Sequence, residues 1–456
     1  MSYCNFAFEF YHLKTDISFK RINKLAIPAL IAGIAEPFLS ITDTAIVGNV
    51  DVNGIESLAA VGIVGAFISM LVWVFGQIRS AISSIVSQYL GANKLDEIKT
   101  LPAQAIGIVV TGSFIVLMIT YPFAKQIFSF YNASGIILDY SVEYYKIRIF
   151  GFPFSLFVFA VFGIFRGLQN TFYPMIIALF GALLNIVLDI AFVYGVEGFI
   201  PAMNIKGAAY ASVIAQISMA VLAVIFLLKK TSISLKITLP FNKEIPKLVG
   251  MVLNLFVRTI ALNLALFFAT SYATNYGKEY IAAYTIGINL WFLGAFVIDG
   301  YASAGNVLAG RLLGSKEYKK LLQLRNQLIK YGLFTGLILT ALGFIFYDSI
   351  GALFIKDKVV QQEFHNVFWI ILVMQPLCAI TFIFDAIFKG MGEMAFLRNL
   401  LIFSTLVIFI PSLLIFDFYG YKLHGIWFTF ILWIVARGIP LIFKFRRKFL
   451  PLLEKE

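Results

Sequence analysis

Charge is what this chain has least of. Only 13% of its 456 residues are Asp, Glu, Lys or Arg, against about a quarter in average soluble domains, which excludes an ordinary water-facing globular domain. Cysteine is nearly missing too. Cys4 and Cys378 are too few and too far apart for a disulfide framework or a metal site. The three histidines, His12, His365 and His424, are scattered, which argues against a zinc or haem centre. No G-x-S-x-G elbow, H-E-x-x-H pair or phosphate-binding P-loop occurs. Neither enzyme chemistry nor direct use of ATP is therefore expected, and no cofactor is implied. No filter-like polar repeat marks a channel. The first twenty residues lack a basic start followed by a small-residue cleavage site, so no signal peptide is expected.

Apolar residues fill the space that charge leaves. The chain is 60% hydrophobic and 16% aromatic, with a mean hydropathy of +0.89. Apolar runs long enough to cross a bilayer core recur from end to end, so the chain reads as an all-α polytopic membrane protein. Hydrophobic length and charge boundaries place twelve spans near 25–48, 58–82, 101–121, 141–165, 173–195, 207–228, 248–275, 280–304, 328–347, 364–388, 398–416 and 424–443. With both termini cytoplasmic, most of the 36 basic residues fall on inside segments, among them Lys14 to Lys24, Lys229 to Lys247, Arg311 to Lys330 and the tail from Lys444. The net charge of +12 is thus a topology signal with anionic lipid as its neighbour, and no nucleic-acid partner is expected.

The chain also repeats itself. "SQYLGANK" at 87–94 aligns with "GRLLGSKE" at 310–317, an offset of 223 residues. The same offset brings Gln104 onto Gln327, "IFRGL" (164–168) onto "IFKGM" (387–391) and Ala59-Ala60 onto Ala282-Ala283. The expected organisation is two pseudo-symmetric six-helix lobes, 1–228 and 248–456, joined by a polar cytoplasmic linker at 229–247. Parallel repeats of this kind are a transporter architecture, in which substrate is held between halves that rock against each other.

Acids inside the spans carry the functional reading, because an ionisable group in the hydrocarbon is costly and usually faces a cavity. Glu36 and Asp43 lie seven residues apart in the first span, on about the same side of a helix. Pro37 between them withholds a backbone donor and can kink the helix. In "LLNIVLDIAF", Asn185 and Asp189 stand at i and i+4, again on one face. A carboxylate beside a carboxamide suits a small hard cation, and an acid in apolar surroundings suits a proton. H+ and Na+ remain equal readings. Asp299 and Asp385 lie near cytoplasmic ends, where a salt bridge to Arg311, Lys389 or Arg398 would make them structural or gating residues. Trp73, Phe154, Tyr284 and Trp291 offer π faces to organic cations, but among 48 Phe and 21 Tyr the sequence singles out none.

"IPALIAGIAEPFLSITDTAIVGNV", "RGLQNTFYP", "LLNIVLDIAFVYG", "IDGYASAGNVLAGRLLG" and "FDAIFKGMGEMAFLRN" together resemble the multidrug and toxic compound extrusion (MATE) family, in its DinF-like prokaryotic branch. The resemblance runs in order over essentially the whole chain. It implies twelve helices in two lobes, a plasma-membrane protein of a prokaryote that works as a monomer, and efflux of amphipathic, often cationic small molecules in exchange for H+ or Na+. By motif it implies an ion-coupling site of Asp43, Asn185, Asp189 and Ser212, the last standing where relatives have Thr and keeping the hydroxyl. If the ion is Na+, these four are its ligands. Two positions depart from the pattern. Glu36 replaces an uncharged residue, adding a second protonatable or cavity group, and Asn306 stands where an acid is common. The alternative function is a lipid or lipid-linked saccharide flippase of the same superfamily, which calls for a more basic cavity.

Overall fold

The computed structural model describes residues 15–48, 54–354 and 357–453. Side chains 36–41 and 44–45 fall outside the described residues, so Glu36 and Pro37 are placed only by backbone, on the first helix. The helices are, in order, α1 (Phe19–Gly48), α2 (Gly54–Phe75), α3 (Ile78–Gly91), α4 (Leu101–Thr120), α5 (Ala124–Phe130), α6 (Gly135–Arg148), α7 (Phe152–Gly167), α8 (Phe172–Val193) and α9 (Asn204–Lys230). The second half follows with α10 (Ile245–Asn275), α11 (Lys278–Gly314), α12 (Tyr318–Ile345), α13 (Tyr347–Phe354), α14 (Lys358–Gly390), α15 (Met394–Phe403), α16 (Ile410–Phe418) and α17 (Lys422–Leu453). Among the described residues no strand forms; Val196 and Ile200 share a single isolated bridge.

Eleven helical stretches among the described residues are long and apolar enough to cross a membrane, and α1 makes the twelfth rod. Two predicted spans are jointed. The span at 58–82 turns at Gly76, where a Cβ would lie 2.4 Å from the Val72 carbonyl oxygen. The span at 141–165 tightens into a 3₁₀ turn at Ile149–Gly151 before Pro153 restarts the helix near its N-terminus, where a missing N–H costs nothing.

By compactness the chain forms two units, one of Ile31–Val252 and the other of Thr15–Leu30 with Leu253–Glu456. The 223-residue repeat is visible in their backbones. Asn93 and Lys316, after α3 and α11, take φ of 57° and 58°, and Gln169 and Gly392, after α7 and α14, take 63° and 82°. These are left-handed residues closing equivalent helices. Equivalent glycines also bring helices together. A Cβ on Gly167 would lie 2.5 Å from Val86 Cβ and 3.1 Å from the Ser83 carbonyl oxygen, and one on Gly390 2.0 Å from the Asn306 carbonyl oxygen. Asn306 stands 223 residues after Ser83, so its backbone serves a crossing contact. Its Nδ2 donates to the Ala386 carbonyl at 3.4 Å.

The repeat extends to the polar lead-ins of α1 and α10. In the first unit, Gln104 Nε2 donates to the Thr238 and Pro240 carbonyls at 2.7 and 3.2 Å, and its Oε1 accepts from Asn242 N at 2.8 Å. Lys243 pairs with Glu97 at 2.7 Å, and Glu97 also with Lys94 at 2.9 Å. In the second unit, Thr15 Oγ1 donates to Glu317 at 3.2 Å and its carbonyl accepts from Lys320 at 3.3 Å, while Lys320 pairs with Glu317. Thr15 is 223 residues before Thr238, and the Lys94–Glu97 pair recurs as Glu317–Lys320 with its signs exchanged. Each lead-in is therefore held by the unit opposite to the one its hydrophobic span would suggest, which is why Thr15–Leu30 packs with the C-terminal helices. There Ile22, Leu25 and Ala26 join Val307, Leu308 and Phe384 in one core.

Candidate functional site

In the first unit, three local features draw the predicted acids together. Tyr194, just past α8, donates its hydroxyl to the Ile46 carbonyl at 2.8 Å, tying the end of α1 to the end of α8. Gly207 lets α9 start against α8, since a Cβ there would lie 2.5 Å from Phe192 backbone atoms. Gly181 admits Met219 by the same logic, its Cβ position being 2.1 Å from Met219 Sδ. Asp43, Asn185, Asp189 and Ser212 are all buried as a result.

Asn185 Nδ2 donates to Asp189 Oδ2 at 3.1 Å, the i,i+4 contact that the spacing predicts. The Asp43 carboxyl comes within hydrogen-bonding reach of Asp189 and of Ser212. Even so, Asp43 Oδ1, Asp189 Oδ1 and Ser212 Oγ are buried without a hydrogen-bond partner. Two carboxylate oxygens facing each other are both acceptors, so nearness alone forms no bond. A proton or a small cation on them would satisfy the orphaned oxygens, and an all-oxygen donor set suits a hard ion. Buried polar groups are usually paired, and an unpaired one costs about 1–3 kcal/mol.

Around these four stand residues that sequence reasoning does not single out. Arg148, the last residue of α6, donates to Gln216 Oε1 at 2.9 Å, and its charge bears on both Asp43 and Asp189. Tyr144, one turn earlier, is buried beside it. Gly151 leaves room for Gln216, whose Oε1 would stand 1.7 Å from a Cβ at that position. By hydropathy Arg148 is only one basic residue within the predicted span at 141–165. The sequence signal that points to it is that a charge there lies inside a span.

The second unit holds the other predicted acids. Asp385 is buried in a double ion pair, Oδ1 with Arg258 Nη2 at 2.8 Å and Oδ2 with Lys389 at 3.0 Å. Lys389 is one of the partners expected from sequence; Arg258, on the α10 rod, is not. Arg398 instead donates to Asn254 Oδ1 at 2.6 Å. Asp299 is exposed and forms no salt bridge among the described residues, reaching Lys389 only through space. Arg311 is buried, with the charges of Arg21 and Glu317 bearing on it. Tyr284 and Trp291 belong to the aromatic core of this unit. Among the described residues no group of three or more His, Cys, Asp or Glu gathers as metal ligands.

Known proteins resemble this chain over most of its length. The MatE family pattern matches residues 28–191 and 255–415. DNA damage-inducible protein F of Escherichia coli is 23% identical over 433 residues, covering 94% of this chain and 92% of that protein. Multidrug export protein MepA of Staphylococcus aureus is 20% identical over 410 residues, covering 88% and 89%. A solved MATE structure in the bent conformation superposes with a TM-score of 0.88 at 23% identity, over 96% of each chain, a likeness of fold with two lobes of six helices. The chain belongs to the MatE family, the multidrug and toxic compound extrusion transporters, and is a transporter rather than an enzyme.

Proposed function

We propose that this transporter is a secondary active multidrug antiporter, exporting amphipathic or cationic organic molecules in exchange for H+ or Na+ by alternating access. The observation that carries the reading is the buried gathering of Asp43, Asn185, Asp189 and Ser212, with one oxygen of each aspartate and the serine hydroxyl left without a partner. In this reading, uptake of one monovalent ion offsets one carboxylate charge of the Asp43–Asp189 pair, with the Arg148 charge bearing on the other, and alters the packing of α1 against α8, shifting the population toward release of substrate. Loss of the ion on the inside resets the cycle. Arg148 is the standing counter-charge that keeps the acid pair tolerable between ions. The family match and the multidrug exporter among the relatives support this cargo class. The bacterial relatives support a prokaryotic plasma membrane. In this reading both termini are cytoplasmic, on the strength of the basic residues gathered on the inside segments, and the protein acts as a monomer.

The test is drug efflux by the purified protein in liposomes, with a pH gradient and a Na+ gradient imposed separately. Efflux that follows one gradient, and is abolished in folded Asp43→Asn and Asp189→Asn, upholds the site and names the ion. Undiminished efflux in both variants would sink it and make the acids structural.

A further inference from the structure

The second unit buries more positive charge than it neutralises. Arg258 on α10, Lys389 on α14 and Arg437 on α17 bear on the single buried carboxylate of Asp385. That carboxylate is already shared, one oxygen to Arg258 and the other to Lys389. The other acid in reach, Asp299, is exposed and acts on Lys389. Arg437 is 5% exposed and makes no hydrogen bond or ion pair among the described residues. Its guanidinium lies over the Trp433 ring at 4.8 Å and the Phe382 ring at 6.0 Å, with the Arg258 charge close enough to oppose it. Arg258 Nε is likewise buried without a partner.

Aromatic faces stabilise a guanidinium from above but satisfy none of the five N–H donors in its plane. A buried cation without an acceptor is among the costlier things a membrane helix bundle can hold. Arginine cannot shed its charge to relieve this. Asp385, the one anion that could take those donors, is held by Arg258 and Lys389 and so is prevented from closing on Arg437. The guanidinium lies over the Trp433 ring with none of its N–H donors in a hydrogen bond among the described residues, and arginine can bind a carboxylate or phosphate with two parallel hydrogen bonds.

We propose that this cluster binds an anionic oxygen group, a carboxylate or phosphate, of a small amphipathic molecule, with Arg437 as its principal contact and Arg258 Nε as a second donor. The cargo of the transporter then includes molecules carrying an acid, beyond cations alone. The site lies in the unit that does not hold the Asp43–Asp189 pair and is read by binding without any ion gradient, so it stands or falls separately from the coupling reading.

The experiment uses the full-length protein in phosphatidylcholine nanodiscs, with intrinsic tryptophan fluorescence followed during titration with benzoate and, separately, with inorganic phosphate. Parallel nanodiscs contain phosphatidylglycerol. The wild type should give a saturable response, and Arg437→Gln should weaken it at least about tenfold. Arg437→Lys keeps the charge but not the fork and should fall between. Calorimetric titration of Trp433→Phe should still detect binding after the stacking fluorophore is removed. A response to benzoate or phosphate in neutral discs assigns the group to a free small molecule, and a response to phosphatidylglycerol alone assigns it to a lipid headgroup. No saturable response to any of the three probes overturns the proposal, leaving a closed structural network. So does unaltered affinity in Arg437→Gln or, should that variant fail to give a monodisperse protein, in Arg437→Lys.

Discussion

Asp189 in the first unit and Asp385 in the second are both buried aspartates in apolar helix bundles, yet their surroundings are opposite. Asp189 faces a second acid, Asp43, and both leave an oxygen unsatisfied. Asp385 faces cations only, and each of its oxygens is in an ion pair. The two units share a 223-residue repeat, left-handed residues closing equivalent helices and a matching glycine crossing. Their buried aspartates do not follow the repeat, although one basic position does, Arg166 standing 223 residues before Lys389. The position 223 residues before Asp385 is Phe162, and the position 223 residues after Asp43 is Leu266. Backbone packing constrains the positions at helix crossings, whereas a charge in the bundle has to meet only its own local partners. The halves were therefore free to diverge into an acid-rich site and a cation-rich one.

The comparison breaks most visibly at the aspartates. Asp189→Asn or Asp43→Asn should reduce ion-driven efflux to the leak of empty liposomes while leaving thermal stability unchanged or higher, because an amide can donate where two acceptors now face each other. Asp385→Ala should act in the opposite sense on stability. It strands Arg258 and Lys389, and removing one partner of a buried pair costs about 3–5 kcal/mol, read as a large drop in the thermal unfolding midpoint in detergent. If both kinds of variant move the midpoint alike, the contrast between the units is wrong.

Smaller effects sharpen the shared part of the comparison. Gly167→Ala and Gly390→Ala should each destabilise by about 1–3 kcal/mol through overpacking. Gly390→Ala should cost more, since its Cβ meets a carbonyl oxygen at 2.0 Å where Gly167 meets the Val86 side chain at 2.5 Å. Gln104→Ala strands the carbonyls of Thr238 and Pro240 and the Asn242 N–H, a local loss of about 1 kcal/mol that hydrogen exchange at Asn242 would detect. Smallest is a pH effect at Glu393. Its burial raises the carboxyl, but Lys448 and Lys444 outweigh that and hold it below the usual carboxylate range. A depressed value means that this pairing contributes fully above the unfolded-state pKa and is lost as pH falls through the folded one. Limited proteolysis of the α17 end should therefore quicken only in acid.

Much of the molecule is legible in the sequence where the signal is local. Asn185 and Asp189 sit four residues apart on one helix, and their hydrogen bond follows from that spacing. The joints at Gly76 and before Pro153 escape it, because apolar runs continue through them and hydropathy does not register a turn. Arg148 and Arg258 escape it for a different reason. Each reads as a basic residue at the edge or interior of a span, and its meaning comes from an acid or amide on another helix. Asp299 is expected to share the salt bridges of Asp385, but helical phase turns it outward.

What the sequence alone determined is everything that scales with run length and period: an all-helical membrane chain, its spans, its twofold repeat, and the residues able to carry charge into the bilayer. Tertiary structure decided which of those residues meet. Arg258 reaches Asp385 across 127 positions of chain, and Lys243 reaches Glu97 across 146. Hydrophobic burial favours any arrangement that hides apolar surface and so is nearly indifferent to such pairings. Hydrogen bonds and ion pairs act only within a few ångströms, so the identity of each partner is fixed by how the helices finally pack.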